Sequence, residues 1–284
     1  MSLSIQTNVA SLIAQNNLRV NNDFQTQTIT RLTSGFRINQ SGDDAAGLAV
    51  ANGYRSQIAE LTQGVRNGND GVSTLQIMDG GLNNITLMLD RMKTLATQAA
   101  SSTSGHTDVA NSEFQTLAGE ITRQADNIGL GHGGGGTLSV YIGGGSLANS
   151  AVTVDLTGAA VDADSLGLFK TAAVYTLGVI TTPAVAFDLG NGDATDAITA
   201  INGALDTLGT VQGTVGAGQN QLNYAINLAN SQISSFSAAQ SRIRDADVAA
   251  EASNLTKAQV LSQASIAAMA QANSTPQAVL ALLK

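Results

Sequence analysis

Residues 198–243 carry an apolar stripe longer than any compact domain needs. Ile198, Ile201, Leu205, Leu208, Val215, Leu222, Ile226, Ala229, Ile233, Phe236 and Ile243 fall at alternating steps of three and four, with Gln212, Gln219 and Gln240 filling the gaps. A period of 3.5 residues sustained over more than five heptads is the seam of supercoiled helices, not the face of an ordinary globular helix. At about 1.5 Å per residue the segment predicts a rod of about 70 Å. The same rhythm runs from Tyr54 through Ile58, Leu61, Val65, Val72, Leu75, Leu82 and Leu89, with Gly68, Asp79 and Thr86 at the skipped positions. A self-contained bundle with no larger role is the alternative.

Between these stripes the pattern changes. A shorter helix is predicted over 108–128, with Phe114, Leu117, Ile121 and Ile128 on one face and Thr107 or Asp108 as its N-cap. Residues 129–192 hold 14 of the 30 Gly and the alternating runs TLSVYI, AVTVDL and AVAFDL, which predict β-hairpins joined by Gly-rich turns. The fold class expected is therefore mainly α: a long coiled-coil rod drawn from both ends of the chain, with a small β-hairpin region inserted in the middle and capping the rod.

The terminal segments are amphipathic but sparsely apolar. Val9, Leu12, Ile13, Val20, Phe24 and Ile29 mark the first; Val248, Leu255, Ile266, Met269 and Leu280 mark the last, all within one helical stripe. Neither can bury its stripe alone, and isolated helices are marginal in water. Both ends are expected to be frayed in the free chain, and to order against each other and against neighbouring subunits on assembly.

Composition removes most chemistry. There is no Cys and no Trp, and aromatics make up 4%, so thiol catalysis, zinc–thiolate sites and an aromatic pocket are excluded. Residues 124–241 hold eight Asp against the single cation Lys170, within a net charge of −8. That acidic middle argues against nucleic acid and anionic membrane as partners. No apolar run reaches the ~20 residues of a membrane span, and the start MSLSIQTNVA has no basic leader, so the chain is expected to be either cytosolic or exported without a cleaved signal peptide. GLGHGG at 129–134 has the G-x-G-x-x-G spacing but follows a helix and opens a β-like run, the reverse of a dinucleotide loop. NGNDG and DLGNGDATD lack the terminal Glu of a calcium loop. His106 and His132 are isolated in the sequence, so no catalytic, cofactor or metal residues are expected and the chain is not read as an enzyme.

Several motifs together carry a resemblance. LTSGFRINQSGDDAAGLAVA at 32–51, RNGNDGVS at 66–73 and IQTN at 5–8 resemble the N-terminal signature of bacterial flagellins. SRIRDADVAAEASNLTKAQVLSQAS at 241–265 and AQANSTPQAVLALLK at 270–284 are similar to the C-terminal one. The resemblance covers roughly residues 1–128 and 196–284. It implies a structural subunit that polymerises into the flagellar filament for swimming. Residues 1–32 and 246–284 would be inner helices lining a narrow channel, 33–46 a joint, 47–128 and 196–245 the rod, and 129–195 a solvent-facing β region. The partners implied are copies of the chain itself, the flagellar type III export apparatus with its chaperone, the filament cap and the hook-junction proteins. A hook–filament junction protein and a secreted coiled-coil adhesin are the rival readings.

Two residue sets follow from the resemblance. In the joint, Gly35 would end the first helix in a left-handed cap, and Asp43 or Asp44 would cap the next. Arg31 and Arg37 would meet Asp245 and Asp247, and Arg242 and Arg244 would meet Asp43 and Asp44. The second set, Arg91, Leu95 and Glu120, matches a rod patch through which innate-immune Toll-like receptors detect the family; Thr94 stands where well-sensed members often carry an acidic residue. The segment GLGHGGGG replaces a stretch in which the family often has FNG, so the first hairpin is expected to be built differently.

Overall fold

The computed structural model describes residues 8–101, 107–143, 150–171, 174–176, 179–182, 185–189 and 193–282, with backbone alone at 170–186 and 275–282. In chain order these form α1 (Val9–Ser34), α2 (Ala45–Ala99), α3 (Thr107–Asn127), β1 (Gly134–Tyr141) and β2 (Ala151–Thr157). The short strands β3 (Phe169–Thr171), β4 (Val174–Thr176), β5 (Val179–Thr182) and β6 (Val185–Ala186) follow, then α4 (Ala194–Arg244) and α5 (Val248–Leu282). No described helix is long and apolar enough to cross a membrane. The chain forms two units, one from residues 1–58 and 234–284, the other from residues 59–233.

In the unit of residues 59–233, α2 buries Leu61, Gly64, Gly68, Gly71, Leu75, Leu82, Ile85, Leu89, Met92 and Ala96, and α4 buries Ala194, Ala197, Ile201, Ala204, Leu208, Val211, Val215, Gly218 and Leu222. The heptad period is the one expected, but its centre is shifted. Gly68, read as a skipped position, is a buried member, while Val65 and Val72 are half-buried shoulders. On α4, Ile198 and Leu205 flank the buried Ala197 and Ala204, and the gaps at Gln212 and Gln219 close on Val211 and Gly218. The reason is close approach. A Cβ on Gly68 would lie 2.8 Å from Ile226 Cγ1, and one on Gly218 would lie 2.7 Å from Val154 Cγ1. A seam read from bulky residues misses its tightest points, because only small residues fit there.

β1 and β2 pair antiparallel, with a register irregularity between Gly134 and Gly136. The hairpin lies along the middle of the helices rather than over their end, which corrects the expected cap. A Cβ on Gly64 would fall 1.8 Å from the carbonyl oxygen of Ile142, and one on Gly71 would fall 2.8 Å from Val140 Cγ2. Val140, Ile142, Val154 and Leu156 are accordingly buried. β3 pairs with β6 and β4 with β5, both antiparallel. Of AVAFDL only Val185–Ala186 is strand, and β3 to β5 had no clear alternation to announce them. α3 buries Phe114 and Ile121 as expected, but it begins at Thr107, so Thr107 and Asp108 lie inside the first turn. The capping position is outside the described residues. Asp108 there favours the positive end of the helix dipole.

In the unit of residues 1–58 and 234–284, α1 and α5 run antiparallel. Asn8 Nδ2 donates to Ala272 O at 2.8 Å, Asn21 Nδ2 to Ser265 Oγ at 2.8 Å, and Arg31 Nη1 to Glu251 Oε1 at 3.5 Å. Tyr54 stacks on Phe236 with ring centroids 5.5 Å apart.

Candidate functional site

Among the less exposed residues of α1, Ser11, Ala14, Leu18, Asn21, Gln25, Thr28 and Leu32 form one row, and among those of α5, Glu251, Leu255, Ala258, Ser262, Ser265, Met269 and Ala272 form another. Both sets repeat at threes and fours. The contact between the two terminal helices is thus a heptad seam built mainly of small and polar side chains. Thr28 and Ala258, at its centre, are 1% and 0% exposed.

Most of the large apolar side chains point the other way. Val9, Leu12, Ile13 and Val20 are 55–58% exposed, and Val248, Val260 and Ile266 are 52–59% exposed. Of the residues expected to drive assembly, Phe24, Leu255 and Met269 are half-buried in the chain's own seam. The side chain of Leu280 lies outside the described residues. The expectation of one stripe serving both purposes is therefore corrected: each terminal helix has two faces. Sequence reasoning followed the bulky residues and so found the outer face. The inner one was legible only in the heptad of Ser, Ala, Asn and Thr. A groove lined by Val20, Phe24, Thr30, Arg31 and Asp43 adjoins the outer face.

The joint is held differently from the ion pairs expected. α1 stops at Gly35, which sits at φ 73° with its N–H bonded to Arg31 O at 2.9 Å, a left-handed cap that a side chain would strain. The returning chain then pairs with residues 35–37. Arg37 N donates to Arg244 O at 2.6 Å, Ala246 N donates to Gly35 O at 2.9 Å, and Phe36 bridges Asp245. Arg37 Nη2 donates to Ile243 O at 2.8 Å, and the Arg244 guanidinium lies over the Phe36 ring, 4.2 Å from its centroid. Among the described residues no ion pair joins Arg31 or Arg37 to Asp245 or Asp247, or Arg242 or Arg244 to Asp43 or Asp44.

The acids are used locally instead. Asp44 caps α2 by accepting from Gly47 N at 2.9 Å, and Asp247 caps α5 by accepting from Ala249 N at 2.9 Å. Asp245 accepts from Ser241 Oγ at 2.6 Å. Asp43 accepts from Asn39 N and Gln40 N at 3.0 and 3.2 Å. A nearby amide costs less ordering entropy than a distant, exposed guanidinium, so the caps win. Arg31 finds Glu251, a buried seam residue, 3.5 Å away; that partner was missed because its place in the α5 heptad is polar.

The amides of Asn39 and Gln40, and then the amide of Gln27, hold the Asp43 carboxyl below its ordinary value of 3.8. A depressed acid stabilises the fold above its unfolded pKa and loses that contribution as pH falls through the folded one. The protection factors of the Asn39 and Gln40 amides are therefore expected to drop as pH falls below 3.8. Asp43→Asn should flatten that dependence, as read by amide exchange; unchanged acid sensitivity in the variant would show that Asp43 is not its source.

The residues matching the receptor patch separate. Arg91 is exposed and forks onto Glu113 at 2.7 and 3.0 Å, and Glu120 pairs with Arg123. Leu95 is 3% exposed. It sits in the α2 seam, so it offers no surface, which corrects its assignment to a patch. His132, isolated in the sequence, is brought beside Asp162 and Asp164, with one ligand atom of each within 4.8 Å of the others.

Comparison with known proteins agrees with the terminal geometry. Residues 5–129 match the bacterial flagellin N-terminal helical region, and residues 198–283 match the bacterial flagellin C-terminal helical region. The chain is 35% identical to a flagellin of Halalkalibacterium halodurans over 99% of both chains. It is 32% identical to a flagellin of Bacillus subtilis over 99% of this chain and 100% of that one. A crystal structure of Bacillus cereus flagellin overlaps 57% of this chain and 88% of that chain, with 24% identity and a TM-score of 0.44.

Proposed function

This chain belongs to the bacterial flagellin family, and from that membership we propose that it joins its neighbours through the outward apolar faces of α1 and α5. The chain is a structural subunit that polymerises with copies of itself into the extracellular flagellar filament, which serves motility. The observation that carries the proposal is the inversion within the terminal helices. Small and polar residues make up most of the intramolecular seam, while Leu12, Ile13, Val20, Val248 and Ile266 stay more than half exposed. Burying what remains exposed of each contributes about 1 kcal/mol. Five together give about 5 kcal/mol, more than three decades in an association constant. The polar seam leaves the free terminal helices weakly held, so their full ordering belongs to assembly.

The finer organisation is part of the same proposal. The inner helices are residues 1–32 and 246–284, the joint is 33–46, and the rod is 47–128 with 196–245. In the joint, Gly35, Arg37, Arg244 and Asp247 set the angle between helices. Export proceeds through the flagellar type III apparatus and its chaperone. The ends of the polymer meet the cap and hook-junction proteins. Detection by a Toll-like receptor rests on Arg91 and Glu120, without Leu95.

A seeded pelleting assay tests the proposal, comparing the full chain with one lacking residues 253–284. Only the full chain is expected to sediment as filaments. Equal polymerisation by the shortened chain would remove the terminal helices from the interface.

A further inference from the structure

We propose that His132, Asp162 and Asp164 form a site for a divalent cation of zinc type, which ties the turn after α3 to the loop after β2. One imidazole nitrogen and one carboxylate oxygen from each Asp lie within 4.8 Å of one another. The three come from two segments of the chain, the turn after α3 and the loop after β2. Val161 N donates to Leu130 O at 2.9 Å, and Ala163 N donates to Thr122 Oγ1 at 3.3 Å.

Asp162 supplies the second, independent observation. It is 1% exposed, and among the described residues its Oδ1 has no hydrogen-bond donor. Its Oδ2 accepts from Ser165 N at a long 3.4 Å. A buried carboxylate with so little compensation, beside a second carboxylate, calls for positive charge. Residues 124–241 carry one Lys and no Arg against eight Asp, so that stretch itself supplies little.

The donor set selects the ion. One imidazole with two carboxylates suits a borderline cation such as Zn2+, whereas Ca2+ and Mg2+ prefer oxygen alone. Donors around tetrahedral zinc lie about 3.4 Å apart, so the set, within 4.8 Å, need close by at most about 1.4 Å. His132 is exposed and Asp164 half-exposed, so both can exchange their present contacts for the ion while Asp162 stays fixed. Water completes the coordination, and the bound ion acts as a staple on the β region without chemistry of its own.

The test uses the full chain, freed of metal by a chelator and titrated with ZnCl2 in a calorimeter, with thermal melts in parallel. One saturable site per chain is expected, and a Zn2+ concentration 100-fold above Kd should raise the melting temperature by about 5–10 °C. His132→Ala, at an exposed position, should melt like the metal-free wild type and lose the site, as should Asp162→Asn. His106→Ala should bind as the wild type does, and CaCl2 should bind at least tenfold more weakly. Absence of saturable binding up to ~1 mM Zn2+, or full binding by His132→Ala, would overturn the assignment.

Discussion

Gly64→Ala is expected to lower the melting temperature of the unit of residues 59–233 by about 10 °C, a loss of about 3–4 kcal/mol. The added Cβ would sit 1.8 Å from the carbonyl oxygen of Ile142 and 2.4 Å from its carbonyl carbon. Those are backbone atoms, so no rotamer change relieves the clash. The end of β1 must lift from α2, which uncovers Ile142 and Val140, side chains now 5% and 6% exposed. Burial of each is worth roughly 1.5–3 kcal/mol. Gly80→Ala is the control. It lies in the same helix, and a Cβ added there would meet nothing within 4 Å, so it should gain about 0.5–1 kcal/mol from helix propensity. Opposite signs at two glycines of one helix, read from circular-dichroism melts, would confirm that α2 is shaped by contact with the hairpin. A neutral Gly64→Ala would deny that contact.

The pair Ile13→Asp and Ile266→Asp is expected to raise the concentration needed for filament growth by at least 100-fold. Both side chains are more than half exposed in the free chain, at 58% and 52%, so the monomer should melt as the wild type does. In a filament where these positions are covered, each Asp loses about 1 kcal/mol of apolar burial and adds the cost of desolvating a charge without a partner. A total above ~2.8 kcal/mol is the 100-fold change. Critical concentration, measured by seeded turbidity and pelleting, checks it. Growth at the wild-type concentration would mean that the outer stripe is not an interface.

Much of this was legible in the sequence, for a physical reason. Long heptads of Leu, Ile and Val have few alternatives to helices packed along a seam, so α2 and α4 could be read from period alone. Gly35 was legible as a left-handed cap because it stands where an apolar stripe stops. Hidden from such reading were the places where backbones come close. Gly64, Gly71 and Gly218 carry no apolar signal, yet they set where the hairpin lies. The terminal helices show the same: Ile13 and Ile266, read as assembly residues, stay exposed in the chain, while Thr28 and Ala258 are buried between its helices. The joint's charges suggested ion pairs, but Asp44 and Asp247 are taken by the amides of the helices they precede. Asp162 meets His132 only through the fold, since the 29 residues between them contain the whole β1–β2 hairpin.

The central claim is that the outer face of α1 and α5 turns from solvent to subunit contact on assembly. Because the chain has no Cys, single replacements Ile13→Cys and Ile266→Cys place one reactive thiol on that face. The decisive measurement is the rate at which a small maleimide labels each thiol in the monomer and in the seeded filament. The account predicts fast labelling of the monomer and at least 100-fold slower labelling of the filament, at both positions. Equal rates in the two states would contradict it.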